Sequence, residues 1–278
     1  MSIKFNKIGG FIGAEVTGVT LGIENDPSVF QELREGLNTH GVIVFRNQEM
    51  DVEQFMRFGQ GFGPLFVNNS PATKAISGYP MVEDMRKEAD EKTNIGDEWH
   101  TDQSNKEHPC WMTILHGIDI PPYGGNTSFL STAAAYDALP ESLKTLLGTL
   151  EAEHSSEFIL RNAIERMGND DNRFNLSKAT ARAIHPVVKK HPETGRKVIY
   201  VNPGYTSHFV GWTRDDSRAL LDVIYRHALR QEFVCHVKWQ PGTVAIWDNR
   251  QTWHYASNDY QGHRREMRRI VVNPPTTA

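Results

Sequence analysis

Cysteine is almost missing from this chain: there are two in 278 residues, Cys110 and Cys235, and no CxxC pair. That excludes a disulfide scaffold and any cysteine-built metal site. Both cysteines lie in apolar, strand-like runs, where reduced core thiols are expected. Long hydrophobic runs are missing too, and nothing approaches the roughly 20 apolar residues of a membrane-spanning helix. The opening MSIKFNKIGGFIGAEV carries no apolar stretch with a small-residue cleavage site, so a cytoplasmic location is expected. Charge of one sign is also lacking. Thirty Lys and Arg stand against 34 Asp and Glu, a net charge of −4. That balance is too mild and too evenly spread for a nucleic-acid or membrane surface. No repeat, low-complexity tract or linker divides the chain. It reads as a single domain over residues 1–278, a length that large β-barrels reach.

The local signals that are present alternate helix and strand. DPSVFQELREGL has Asp26 placed as N-cap, Pro27 at the first helical position, and Phe30, Leu33 and Leu37 on one face. DVEQFMRFGQGFG opens with Asp51 and Gln54 in a capping-box arrangement and ends on glycine. GVIVFRNQ and CWMTILHGIDI read as strands. STAAAYDALPESLKTLLGTL reads as two short helices broken at Pro140, and TRDDSRALLDVIYRHAL as a helix capped by Thr213. VVKKHPETGRKVIYV is a hairpin around Pro-Glu-Thr-Gly. EFVCHVKW, GTVAIWD and MRRIVVN are strands. The pattern weakens from Phe66 to Glu98, and residues 156–180 are polar and read as an irregular excursion. Early helices followed by many short strands predict a mainly β sandwich or barrel with helices outside.

The chemistry begins at GDEWHTDQSN. His100 and Asp102 are two residues apart, so on an extended segment they project to one side. Two ligands make a weak site. Non-haem Fe(II) oxygenases use two histidines and one carboxylate and leave three positions open. The best third ligand is His254, in IWDNRQTWHYASNDY after an apolar strand. A second H-x-acid pair, His191 with Glu193, sits in a tight turn and reads as hairpin surface. Arg265 follows His254 by eleven residues. An iron with three free positions needs a chelating co-substrate, commonly 2-oxoglutarate. The distal carboxylate of that co-substrate calls for arginine's planar fork. Arg269, four residues on, falls on the same strand face as Arg265. Arg264 and Arg268, on the other face, read as a solvated basic edge strand. Trp247, Asp248 and Asn249 read as structural, with a role in orienting a ligand histidine open. His40, His116, His154, His185 and His208 have no partner at useful spacing.

EWHTD, then PPYGGNTSFLS, then VAIWDNRQTWHYASNDY followed by RREMRR, resembles the taurine/aryloxyalkanoate (2,4-dichlorophenoxyacetate-type) branch of the Fe(II)/2-oxoglutarate-dependent dioxygenases. IGAEVTGV, GVIVFRNQ and HPETGR extend the likeness nearly end to end. The resemblance implies a double-stranded β-helix (jelly roll, cupin-like) braced by helices, with lid segments at about 66–98 and 158–180. It implies His100, Asp102 and His254 as iron ligands and catalytic centre, and Thr127 with Arg265 on the distal carboxylate of 2-oxoglutarate. It implies Arg269 on the substrate's acidic head and Tyr205 as a pocket wall. Thr127 also reads as a turn hydroxyl, and Tyr205 as a core aromatic. The family's activity consumes O2 and 2-oxoglutarate, releases succinate and CO2, and hydroxylates an anionic substrate. A homodimer or tetramer is the family expectation.

Two departures bear on the substrate. Asn68 stands where taurine enzymes carry a histidine for the sulfonate, and Gln103 follows the iron ligands in place of a small apolar residue. These argue against taurine, and MRKEADEKTNIGDEWHTD leans toward the aryloxyalkanoate members. The leading expectation is a dioxygenase of small organic acids: aryloxyalkanoates, alkyl sulfonates or sulfate esters. The alternatives are a biosynthetic hydroxylase or desaturase of a larger carboxylate metabolite, and a sensor that binds metal and 2-oxoglutarate without turnover. A zinc hydrolase would lack a placed general base and would leave Arg265 without purpose.

Overall fold

Asp26 turns an extended run into a helix. Its carboxylate accepts the backbone N–H of Ser28 at 2.8 Å, and Pro27 opens α1 (Pro27–His40). Gly41, at φ 70°, ends that helix where an L side chain would be strained. α2 (Val52–Gln60) opens with the predicted capping box between Asp51 and Gln54. These two helices bury Leu33, Leu37, Phe55 and Phe58. The computed structural model describes residues 2–23, 26–67, 73–167, 176 and 179–274.

The remaining early elements are β1 (Lys4–Lys7), β2 (Ala14–Thr17), β3 (Val42–Phe45), β4 (Lys74–Ile76), β5 (Tyr79–Lys87), β6 (Met112–Asp119) and β7 (Thr127–Ser131). Then come α3 (Thr132–Asp137), α4 (Glu141–Leu147), β8 (Glu151–Ser155), α5 (Ser156–Met167), β9 (Arg182–Pro186), β10 (Val188–Lys190), β11 (Lys197–Ile199) and β12 (Thr206–Phe209). The chain finishes with α6 (Arg214–Ala228), β13 (Val234–Val237), β14 (Val244–Asp248), β15 (Thr252–Ala256) and β16 (Arg265–Val272). The structure is therefore mostly β.

Eight strands form one sheet in the order β1-β2-β3-β14-β6-β16-β5-β4, and β13-β7-β15 form a second. Strand alternation sorts the large sheet's side chains into two layers. Ile43, Phe45, Ile114, Val244, Ile246, Ile270 and Val272 pack with α1 and α2. Val42, Val44, Leu115, Ala245, Trp247 and Met267 face the other way, onto Phe129, Cys235 and Val237 of the small sheet. Behind the small sheet, Leu130 and Trp253 pack against α3, α6 and β11. The inward faces of the two sheets hold the polar residues that matter below: Thr113, Arg265 and Arg269 on one side, Thr127 and His254 on the other. Both cysteines are buried free thiols, as expected.

Four expectations need correction. β16 is not an edge strand, because it lies between β6 and β5. Arg268 is half-buried and donates to the Met50 carbonyl, while Arg264 joins Asp119, Glu88 and Glu266. Within 66–98, Tyr79–Lys87 is a nine-residue strand of the large sheet, carried by pairing with β16 on one side and β4 on the other. Residues 156–167 of the irregular excursion are a helix, and most of the excursion's remainder lies outside the described residues. His191 is 1% exposed, so it is not hairpin surface. Its Nε2 bonds to Asp248 Oδ2 at 2.8 Å, which ties the β10–β11 hairpin to the end of β14.

Candidate metal centre

The segment that carries His100 and Asp102 runs beside β15. Ala256 N–H donates to Gly96 at 2.8 Å, and His100 and His254 exchange backbone hydrogen bonds of 3.1 and 2.8 Å. Directly paired residues on antiparallel backbones project to the same side. The two imidazoles accordingly stand with ring centroids 4.1 Å apart. Asp102, two residues beyond His100, returns to that side. Its Oδ1 lies 3.6 Å from His100 Nε2 and 3.7 Å from His254 Nε2. All three ligand atoms fall within 4.8 Å of one another, on residues that are 6 to 7% exposed.

Each ligand is held from behind. His100 Nδ1 sits 2.6 Å from the Glu98 carbonyl, so that nitrogen donates and Nε2 keeps its lone pair for the centre. Gly204 lets the chain pass close: a Cβ there would stand 2.9 Å from His100 Cβ. His254 lies against Trp247 and Phe129, with centroids at 4.8 and 6.1 Å. The Thr113 hydroxyl donates to Asp102 Oδ2 at 2.7 Å, leaving Oδ1 facing the imidazoles. Asn249 closes the support. Its Nδ2 donates to Thr113 Oγ1 at 2.9 Å, and its Oδ1 accepts from Asp102 N–H at 3.3 Å and Trp247 Nε1 at 3.0 Å. Gln103, at φ 58°, turns the chain away immediately after Asp102.

The electrostatics suit a cation. Burial opposes charge on Asp102, yet His254, His100 and Arg269 hold its carboxyl far below the ordinary range. Burial pushes His254 down to about 3, and repulsion from His100 and Arg269 adds to this. Two imidazoles and one carboxylate on one side of an otherwise open centre fit a ferrous ion.

A second feature lies next to the triad. Arg265 is 7% exposed, and its Nε and Nη2 have no hydrogen-bond partner among the described residues. Burial disfavours its charge. A buried guanidinium in that state calls for an anion. Its guanidinium carbon lies 5.9 Å from the rings of Trp239 and Tyr260. The Trp239 indole donates to Thr127 Oγ1 at 2.9 Å, which leaves the Thr127 hydroxyl proton free to give. Thr127 is two residues from Phe129, the cross-strand partner of His254, so it shares that face. The residues present thus fit a bidentate, doubly acidic co-substrate reaching from the triad to Arg265.

The predicted substrate residues divide. Tyr205 is half-buried, its ring 6.3 Å from that of His100. Gln103 is half-buried beside Asp102. Arg269 Nη1 lies 3.9 Å from Asp102 Oδ1, but Nε and Nη2 are already engaged by Glu83, at 2.7 and 3.2 Å. Asn68 lies outside the described residues. Thr113, Glu83 and Trp239 were not anticipated from sequence. Asn249, open in sequence to a role in orienting a histidine, supports the carboxylate instead.

Comparisons with known proteins agree with this geometry. The family described as "Taurine catabolism dioxygenase TauD, TfdA family" matches residues 4–271. The chain is 33% identical over 276 residues to the alkylsulfatase of Acinetobacter baylyi, covering 97% of this chain and 84% of that protein. It is 29% identical over 291 residues to the alpha-ketoglutarate-dependent 2,4-dichlorophenoxyacetate dioxygenase of Cupriavidus pinatubonensis, covering 98% of each. A crystal structure of a taurine dioxygenase from Burkholderia xenovorans superposes with a TM-score of 0.84 at 32% identity, over 98% of this chain and 90% of that one.

Proposed function

The chain belongs to the taurine catabolism dioxygenase TauD, TfdA family, and we propose that, as an Fe(II)- and 2-oxoglutarate-dependent dioxygenase, it hydroxylates a small organic acid. The acid is an aryloxyalkanoate, an alkyl sulfonate or a sulfate ester. Where the attacked carbon bears oxygen or sulfur, the product breaks at the C–O or C–S bond. The observation that carries this reading is the meeting of His100, Asp102 and His254 together with a buried arginine whose Nε and Nη2 have no hydrogen-bond partner among the described residues. The relatives' names support the substrate range: one acts on 2,4-dichlorophenoxyacetate and another is an alkylsulfatase.

The roles follow from position. His100, Asp102 and His254 would hold the ferrous ion, and Thr113 and Asn249 fix the Asp102 carboxylate so that Oδ1 faces the imidazoles. Arg265 and Thr127 take the distal carboxylate of 2-oxoglutarate. When bound, the ferrous ion and 2-oxoglutarate activate O2, with succinate and CO2 as co-products. The protein's part is to aim one C–H bond and to exclude water. Arg269 turns its remaining N–H edge to the acid's head, Tyr205 forms a wall over His100, and Gln103 supplies a neutral amide beside Asp102; Asn68, expected to act with it, lies outside the described residues. The two opposed sheets form one jelly-roll (double-stranded β-helix) domain over 1–278. Of the lid segments expected at about 66–98 and 158–180, the described parts outside β5 act as lids, while 68–72, 168–175 and 177–178 lie outside the described residues; the protein works as a cytoplasmic homo-oligomer without nucleic-acid or membrane partners. No helix among the described residues is long and apolar enough to cross a membrane.

The test is a screen of aryloxyalkanoates, alkyl sulfonates and sulfate esters with Fe(II), 2-oxoglutarate and O2, following succinate and the oxidised product by mass spectrometry. At least one class raises succinate release well above the substrate-free rate, with a matching product carrying one added oxygen or its cleavage fragments. Substrate-independent succinate alone, across all three classes, refutes the acid reading.

A further inference from the structure

Arg269 faces the triad, yet it is not a free cation. Glu83 on β5 stands opposite it in the antiparallel register with β16. The two are joined by a bidentate pair, Nε to Oε2 at 2.7 Å and Nη2 to Oε1 at 3.2 Å, with side chains 15% and 4% exposed. Thr73 gives its hydroxyl to Glu83 Oε1 at 2.5 Å, fixing that carboxylate further. A guanidinium carries five N–H groups. This pair uses two of them, on the side away from the centre, and Nη1 lies on the side of Asp102. The next cation, Lys106, has its ammonium over the Phe66 ring at 3.8 Å; burial opposes its charge, while Glu83 and Asp102 favour it.

An acid arriving at the open edge of Arg269 meets aligned donors whose charge is already balanced. In a buried site an unbalanced arginine discriminates strongly. Losing one partner of a buried charged pair weakens binding by roughly 30-fold to several thousand-fold. A pre-neutralised arginine forfeits most of that discrimination and keeps its directional hydrogen bonds. A head with two negative charges would also face Glu83 and Asp102 at close range, and like charges repel strongly where water is excluded.

We propose that Glu83 is a specificity-determining residue: by neutralising Arg269 it makes the head-group pocket read hydrogen-bonding shape instead of full negative charge. The pocket then takes singly charged acids and their neutral amide isosteres, and rejects doubly charged heads such as phosphate monoesters. This rests on the reading above that Arg269 faces the substrate's head.

Equilibrium binding tests it on the anaerobic protein loaded with Fe(II) and a non-reacting 2-oxoglutarate analogue. The probes share one tail and carry a carboxylate, a sulfate ester, a phosphate monoester or a primary amide. In the unaltered protein, the amide binds within about tenfold of the carboxylate and the phosphate monoester at least about a hundredfold more weakly. Glu83→Gln tightens carboxylate and sulfate ester by about tenfold or more and leaves the amide within about twofold. The double variant Glu83→Gln with Arg269→Gln, which removes both charges together, loses that gain. An amide more than about a hundredfold weaker than the carboxylate in the unaltered protein overturns the proposal without recourse to any variant. So does a Glu83→Gln protein that binds the carboxylate less well, since Glu83 would then only hold Arg269 in place. Either of those failures leaves the acid reading standing. If no probe binds at all, the acid reading fails and this proposal with it.

Discussion

Thr113 and Asp102 are hydrogen-bonded at 2.7 Å, and the bond occupies the carboxylate oxygen that faces away from the two imidazoles. In the reading proposed above, that oxygen would thereby be kept from a second bond to the metal. Thr113→Val preserves shape and removes the donor. Oδ2 becomes free to swing toward the metal, and the Asn249 N–H loses its acceptor. Metal affinity should fall about 10- to 100-fold, read by anaerobic Fe(II) titration, while Thr113→Ser retains it. Equal affinity for all three proteins would show that the hydroxyl only fills space.

Arg265 has five donors in a fixed fork, and lysine offers a single point charge. With metal bound, Arg265→Lys should weaken 2-oxoglutarate binding by tens-fold and Arg265→Ala by about a thousandfold. Thr127→Val, which removes one charge-assisted hydrogen bond, should weaken it about tenfold or more. Metal affinity should stay within about threefold in all of them, because among the described residues none of these side chains hydrogen-bonds or ion-pairs with the triad. Titrating 2-oxoglutarate against its charge-transfer absorption on the anaerobic Fe(II) protein separates the two affinities. A parallel loss of metal would place Arg265 in the metal's support instead.

Filling the centre should stabilise the fold. The metal binds the folded arrangement, in which Asp102 is already ionised and His254 already neutral. At a free metal concentration about a hundred times Kd, the gain is about 2.7 kcal/mol. For a chain of this size, that raises the melting temperature by roughly 5 °C. Thermal scans with chelator, and again after Mn(II) or Fe(II) is restored under nitrogen, check it. A melting temperature indifferent to metal would mean that the three side chains do not close on an ion.

The parts legible in sequence were those with local causes. Asp26 and the Asp51–Gln54 pair announce their helices because capping is settled within a few residues. His100 and Asp102 were legible through their spacing, and His254 and Arg265 through their order along the chain. The misreadings share a different cause. β5 reads YPMVEDMRK, charged and without alternation, and only its pairing with β16 and β4 makes it a strand. Missing that strand hid Glu83, and so hid the partner that changes the meaning of Arg269. His191 was read from its turn, yet its burial comes from packing against Asp248, 57 residues away in sequence. Thr113 is an ordinary strand residue until the fold sets it behind Asp102.

The ties around the β10–β11 hairpin make a pH prediction. Glu193 accepts from Arg34 Nε at 2.8 Å, Asn38 Nδ2 at 2.9 Å and Arg250 Nη1 at 2.7 Å. Burial pushes its pKa upward, but these bonds outweigh that and bring it from 4.5 down to about 2. A carboxyl with a depressed folded-state pKa contributes stability that is complete above its unfolded pKa. That contribution fades as pH falls toward the folded value. Glu193 therefore supports the fold fully above pH 4.5 and progressively less down to about pH 2. Glu193→Gln should be less stable than the parent at pH 7 by denaturant unfolding, and the gap should narrow through that acid window. Asp248 behaves in the same sense: it is buried, which opposes its charge, and it is held ionised by Arg250 and His191. It remains in the variant, so both proteins still lose stability in acid and only the difference between them reports Glu193. A gap that stayed constant from pH 7 to pH 3 would show that the side chain contributes through packing and not through its charge.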